Sequence, residues 1–284
     1  MREEPAAGES VGYMARVLVQ ATLPHSAQEG CAYSRTNGRL RVSIQAPPEL
    51  GLPYGVYPRL ILAWIATEAV RTRSRRLELG RSLSQFMARL GVIPTGGQWG
   101  TIARLKDQLE RLLASCISCV EESYDGEGVL RRRSNLLVAQ ESALWWSHDA
   151  RRDAQGRSWV ELSEPFYAQL IERPVPVDLR ALAALKRSPL ALDLYAWLTY
   201  RVSYLRRAVV VPWAALQAQL GADYATSAQG TRDLRRKILQ ALRKVQQVYP
   251  ALRAQPTPEG LRIEPSASHV SARKPVTKPR GVVA

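Results

Sequence analysis

The stretch Pro58 to Val92, PRLILAWIATEAVRTRSRRLELGRSLSQFMARLGV, returns in altered form as Pro189 to Ala222, PLALDLYAWLTYRVSYLRRAVVVPWAALQAQLGA. Trp64 aligns with Trp197, Arg75-Arg76 with Arg206-Arg207, and Leu90-Gly91 with Leu220-Gly221. One supersecondary unit used twice predicts two like modules in tandem. Within the first copy the apolar period changes in a set order. Leu60, Ile61, Trp64 and Ala69 fit a helix, Leu77-Glu78-Leu79 alternates as a short strand, and Leu83, Phe86, Met87 and Leu90 fit a second helix closed by Gly91.

After a turn, Ile102, Leu105, Leu109 and Leu112 recur at helical spacing and predict a third helix, Gln98 to Ala114. CISCVEESYDGEGVLRRRSNLLVAQ then reads as two strands joined at Asp125-Gly126. Helix, strand, helix, turn, helix, hairpin is the order of a winged helix. In the second copy Leu190, Leu194, Trp197 and Leu198 stripe the first helix, Ala208 to Val211 forms the strand, and Trp213, Leu216 and Leu220 stripe the second helix. Leu234, Ile238, Leu242, Val245 and Val248 stripe a third helix, Ser227 to Val248, and a short wing turns at Pro258-Glu259-Gly260. The expected fold is therefore α+β, mainly helical, with two tandem winged-helix domains. A lead over 1–37 is expected to be partly disordered, the first winged helix spans 38–173, the second spans 174–265, and 266–284 is a disordered basic tail. Arg173 to Asp178, RPVPVD, reads as a rigid joint between the modules.

Gly96, Gly97 and Gly100 resemble a phosphate loop, but the pattern G-x-x-x-x-G-K-[ST] needs a Lys-hydroxyl pair, and Thr101-Ile102 follows instead. The glycines fit the turn of a helix-turn-helix, where close backbone approach is needed. No cofactor is expected. The cysteines Cys31, Cys116 and Cys119 match a reducing compartment, and Cys116-x-x-Cys119 follows a helix, where the dipole opposes a thiolate, so structural burial is expected.

Charge selects the partner class. Lys plus Arg number 40 against 25 Asp plus Glu, a net +15 with pI near 10.2, which points to a polyanion. No apolar run reaches the roughly 18 residues of a spanning helix, and MREEPAAGES lacks the order of a signal peptide, so no membrane and a cytoplasmic location are expected. In the first module's third helix Arg104, Lys106 and Arg111 face Asp107 and Glu110, three charges against two. In the second, Arg232, Arg235, Arg236, Lys237, Arg243 and Lys244 meet only Asp233, six against one. The second helix is the candidate for reading DNA, with Ser227, Gln229, Thr231, Arg232, Arg235, Arg236, Lys237 and Arg243 as its contacts. Arg206, Arg207, Arg131, Arg132 and Arg133 are expected at phosphates. A solvated basic face is the competing reading, as it is for Arg71 to Arg76.

LGLPYGVYPRLILAWIATEAVRT, SLSQFMARLGVIPTGGQWGTIARLKDQ and PVPVDLRALAALKRSPLALDLYAWLTYR resemble the plasmid-encoded RepA family of replication initiators, over about Gly38 to Glu264. The resemblance implies a tandem winged-helix protein that binds direct repeats (iterons) at a plasmid origin, helps open the duplex and recruits the host initiator and replicative helicase. In such proteins one winged helix commonly supports a homodimer and the other grips the iteron. A winged-helix repressor without initiator role shares the fold and the charge.

A nicking enzyme makes a stricter demand. Tyr200 and Tyr204 stand one turn apart as in a two-tyrosine nickase, but His25, His148 and His269 are scattered and supply no pair for a metal. His148-x-x-Arg151 matches a recombinase dipeptide spacing, in a polar turn. The acidic cluster Glu121, Glu122, Asp125 and Glu127 keeps an exposed hairpin soluble. No catalytic or metal-ligating set is expected.

Overall fold

The computed structural model describes residues 10–145 other than 125 and 127, and 158–270 other than 222, 223, 225 and 226. The elements run β1 (Val11–Met14), α1 (Arg16–Gln20), β2 (Ala32–Asn37), β3 (Leu40–Gln45), α2 (Val56–Thr72), β4 (Arg76–Gly80), α3 (Leu83–Arg89) and α4 (Thr101–Leu113). They continue with β5 (Cys116–Tyr124), β6 (Val129–Leu137), β7 (Ala139–Ala143), β8 (Ser158–Leu162), α5 (Glu164–Glu172), β9 (Val175–Asp178), α6 (Leu179–Leu185) and α7 (Pro189–Tyr204). Last come β10 (Val209–Pro212), α8 (Trp213–Leu220), α9 (Ala228–Val248), β11 (Ala254–Pro256) and β12 (Gly260–Ile263). The fold is mixed α and β, and its sheets are all antiparallel.

Helices α2 and α7 are apolar around almost their whole circumference, and they form the spine for that reason. Leu60 to Ala66 is buried without interruption, as is Leu190 to Thr199. The two helices meet at a buried polar knot. Arg59 on α2 donates through Nε and Nη2 to the two carboxylate oxygens of Asp193 on α7, at 2.7 and 2.6 Å, and through its remaining donors to the carbonyls of Leu23, Pro24 and Gly55. His25 Nε2 lies 2.8 Å from the same carboxylate. Burial works to raise the Asp193 pKa; the Arg59 guanidinium, with His25, outweighs it and holds the carboxyl below the usual carboxylate range.

The element order of the first copy, α2-β4-α3-α4, recurs as α7-β10-α8-α9. Each copy's strand is closed by a later hairpin in the same order, β4-β8-β7 and β10-β12-β11. The expected hairpin of the first copy is corrected by this pairing. Strands β5 and β6 do not join β4; they extend β2-β3 into a separate sheet ordered β2-β3-β5-β6. The apolar alternation explains why. Ile117, Cys119 and Leu136 are buried on the side that carries Tyr33, Val42 and Ile44, whereas β4 matches Leu77 to Val160 of β8. Asp125 of the expected turn lies outside the described residues.

The lead over 1–37 carries β1, α1 and β2 in its described part, with Val17, Leu18 and Val19 buried. The joint at Val175–Asp178 is itself a strand, paired with β1 from Val11↔Asp178 to Met14↔Val175. At the other end, 266–270 pack against the second copy: His269 stacks on Tyr249 with ring centroids 4.5 Å apart, and its Nδ1 lies 2.8 Å from the Tyr195 hydroxyl. The basic stretch 271–284 lies outside the described residues.

The glycine-rich segment is a turn between α3 and α4. Gly91 (φ 65°) caps α3, its N–H meeting Ala88 O at 2.9 Å while Val92 N–H meets Met87 O at 2.8 Å. At Gly100 a Cβ would stand 2.3 Å from Thr95 O, so glycine alone lets the turn close. Thr95 and Thr101 pin it reciprocally, each backbone N–H donating to the other's Oγ1 at 2.8 and 2.9 Å.

Candidate nucleic-acid interface

Helix α9 is seated by Leu234, Ile238, Ala241, Leu242 and Val245, a buried stripe at 3 and 4 spacing against α6, α7 and α8. Ser227 caps it, its Oγ accepting from Gly230 N–H at 3.1 Å. Thr231 Oγ1 lies 2.9 Å from Gln217 Oε1 on α8, so this hydroxyl ties the two helices together. At 3.6 residues per turn the side opposite the stripe carries Arg232, Arg236 and Arg243, all exposed. Arg232, Arg235, Arg236, Leu239, Gln240 and Arg243 line one shallow surface groove. From Arg232 to Arg243 it runs about 16 Å, longer than the roughly 12 Å width of a B-DNA major groove.

Of the arginines of the stripe, Arg232 is held by a neutral amide and Arg236 by a partly exposed carboxylate. Gln229 Oε1 accepts from Arg232 Nη2 at 3.0 Å, and Gln229 Nε2 donates to Asp233 at 3.0 Å. Asp233 also pairs with Arg236 at 2.9 Å. Arg235 leaves the centre of the stripe and lies over the Trp213 ring, its Cζ 5.0 Å from the centroid. Lys237 and Lys244 flank the other side of the stripe, exposed.

Helix α4 is differently used. Gln108 is buried and accepts from Tyr54 N–H at 2.7 Å, and Arg111 pairs with Asp107 at 2.9 Å. The turn before it leaves Ile93 and Trp99 77 % and 82 % exposed, beside a cavity of about 700 Å³ lined by Tyr54, Tyr57, Arg104 and Lys186.

The remaining arginines expected at phosphates fall in two places. Arg206 and Arg207 are exposed just before β10, beside the β10-β12-β11 sheet. Arg131, Arg132 and Arg133 are exposed on β6, and strand alternation splits them: Arg131 and Arg133 share one face with Glu122 and Val120, and Arg132 takes the other. Tyr200 and Tyr204 touch with ring centroids 5.1 Å apart, and Arg201 donates to the Tyr204 hydroxyl at 3.1 Å. The described histidines are committed elsewhere, His25 to Asp193 and His269 to Tyr195 and Tyr249; His148 and Arg151 lie outside the described residues. Cys116 and Cys119 sit on β5 with opposite facing, which keeps their thiols apart, and burial pushes the Cys119 thiol up to about 11. No described helix is long and apolar enough to cross a membrane.

A family model described as plasmid encoded RepA protein matches residues 52–214, more than half of the chain. The chain belongs to the RepA family. Within this RepA-family chain the matched segment spans α2 to the start of α8, and α9 lies beyond it. Two crystal structures of RctB domains 2 and 3 have a similar fold. Selenomethionine derivatives of these domains superpose with TM-score 0.56 at 11 % identity, covering 88 % of this chain and 96 % of that one. A second structure, of RctB 155–483, gives TM-score 0.50 at 13 % identity, covering 85 % and 84 %. No curated protein matches the sequence. Membership of the RepA family supports a role in initiating replication at a plasmid origin.

Two features, one at the α9 groove and one in the core, escaped the sequence reading. Leu239 and Gln240 complete the α9 groove, and their positions two turns beyond Arg232 and one turn beyond Arg236 were the available signal. The Arg59–Asp193 knot was signalled by charges standing within the uninterrupted apolar stretches of α2 and α7, which demand a buried partner.

Proposed function

We propose that this protein is a plasmid replication initiator that binds direct repeats at its origin, promotes duplex opening and recruits the host initiator and replicative helicase. Two winged-helix modules carry it, the second reading the repeat. The observation that carries this reading is the arginine stripe of α9, exposed along the side opposite its buried face. The recurrence of α2-β4-α3-α4 as α7-β10-α8-α9, each with a three-stranded sheet of matching order, supports the winged-helix assignment. Arg232 and Arg236 read guanines in the major groove, Arg235 reaches the groove from its place on Trp213, and Arg243, Lys237, Arg206 and Arg207 hold phosphates. Ser227, Gln229 and Thr231 present the N-terminal turn of the helix to the duplex.

The reaction is binding without strand cleavage and without nucleotide or metal. Incubation of the full chain with supercoiled origin plasmid and magnesium is expected to give a sequence-selective complex, no nicked product and no covalent protein-DNA adduct. A nick abolished by Tyr200→Phe or Tyr204→Phe would replace binding by tyrosine-dependent cleavage.

The first module supplies self-association. Leu137 on the edge strand β6 and Trp145 beyond β7 are 47 % and 57 % exposed, apolar surface of the kind that a two-fold interface covers. Sedimentation of the full chain at tens of micromolar is expected to give a dimer, and Leu137→Asp a monomer. A wild-type chain that is monomeric throughout would remove this module from dimerisation.

A further inference from the structure

The sheet β2-β3-β5-β6 has one face on the core and one open face that is mostly polar, with Leu137, the residue placed above in self-association, in the end row with Ala32, Gln45 and Cys116. Its register aligns Ser34, Ser43, Ser118 and Asn135 in one row across the four strands. The next row is Thr36, Arg41, Val120 and Arg133. Beyond it Arg131 pairs with Glu122 at 2.7 Å, and Arg39 lies over the Tyr124 ring at 5.4 Å. Arg39, Arg41, Arg131 and Arg133 line a single depression in which Glu122 is the one carboxylate among the described residues. Arg41 and Arg133 form no ion pair within the described residues and, at about 4.8 Å per strand, stand about 10 Å apart across Val120.

Guanidiniums set among hydroxyls and an amide form a surface for phosphate oxygens, which accept hydrogen bonds from such side chains and carry no sequence information. A single strand would be held by stacking on a row of exposed rings, and Tyr124 is the one ring on this face among the described residues. The edge strand β2 packs against α8, and Thr22 Oγ1 donates to Gln219 O at 3.4 Å, so the sheet is joined to the helix that leads into α9. We infer that the open face of this sheet is a second DNA contact, holding the phosphate backbone of duplex that flanks the sequence bound by α9. The inference rests on the proposed origin binding and adds to it a surface in the other half of the chain.

The test uses the full chain with two duplexes, one limited to a single repeat and one extended with arbitrary flanking sequence, and a single strand of the longer length. Arg41→Ala/Arg133→Ala is expected to weaken binding of the extended duplex several-fold, to flatten its salt slope by about 1.8 for two phosphates released, and to leave the short duplex and the preferred sequence unchanged. Glu122→Gln is expected to tighten binding of the extended duplex, a gain that misfolding cannot produce. If both variants match wild type on the extended duplex, the inference is overturned while origin binding stands. If they change only single-strand binding, the surface is not a duplex contact. Failure of the wild-type chain to select its origin would overturn the origin-binding reading itself.

Discussion

Arg59→Ala lowers the free energy of unfolding by about 3–5 kcal/mol, the usual cost of leaving one member of a buried ion pair uncompensated. Arg59 and Asp193 are 3 % and 5 % exposed, so water cannot replace the lost guanidinium. The same substitution removes the donors to Leu23, Pro24 and Gly55, and so unfastens the segment before β2 and the start of α2 together with α7. Urea unfolding of the full chain measures it. The double replacement Arg59→Met/Asp193→Leu recovers only the share due to the uncompensated charge, since the Leu23, Pro24 and Gly55 carbonyls and the His25 ring still lose their buried partners. A loss under 1 kcal/mol for Arg59→Ala would mean that the knot is not what joins the two copies. The pH dependence follows in sign. The Asp193 carboxyl is depressed on folding, so its contribution is fully present above the unfolded aspartate value near 3.9 and disappears as the pH falls through the lower folded value. Wild type therefore loses this contribution in acid, and the Asp193→Leu form of the pair lacks it at every pH.

Simultaneous alanine replacement of Arg232, Arg235 and Arg236 abolishes the preference for one sequence. An arginine bidentate on guanine discriminates by about 1–3 kcal/mol, roughly 5- to 150-fold for each position read. Selection of bound sites from a random pool reads the outcome. Alanine at Arg206, Arg207 or Arg243 instead weakens all duplexes alike and makes the salt slope shallower by about 0.9 per phosphate. Arg235 is a special case, because its guanidinium also covers Trp213, and its replacement is expected to lower the melting temperature as well. Uniform weakening with an unchanged preferred sequence in the triple variant would move readout away from α9.

The repeated helices were legible because they obey a single period. The stripes on α4 and α9 and the Gly91 closure each follow from local chemistry, and the helices form where those signals stand. Strand partners were not legible in the same way. The hairpin β5-β6 carries an alternation that any half-buried sheet would accept, and nothing within it says that its neighbour is β3 and not β4. Its two candidate partners are both short alternating strands, and the choice is made by packing of distant residues such as Tyr33 and Val42. The joint at Val175–Asp178 was legible as a stiff segment from its alternating Pro and Val, but its pairing with β1 depends on a strand far away in the chain. For the interface, charge counts distinguished α9 from α4, and helical geometry then placed Arg232, Arg236 and Arg243 on one side. The run Arg131 to Arg133 looked uniform as sequence, and only its position in a strand separated Arg132 from its neighbours.

The claim that α9 reads repeated origin sequence is tested most directly by footprinting the full chain on its own plasmid, beside the Arg232→Ala/Arg235→Ala/Arg236→Ala variant. The wild-type chain is expected to protect direct repeats next to an A·T-rich segment, and the variant to lose those footprints while weak uniform protection persists. A single protected operator at a promoter with no repeated array, or a repeat footprint that survives the triple substitution, would contradict it.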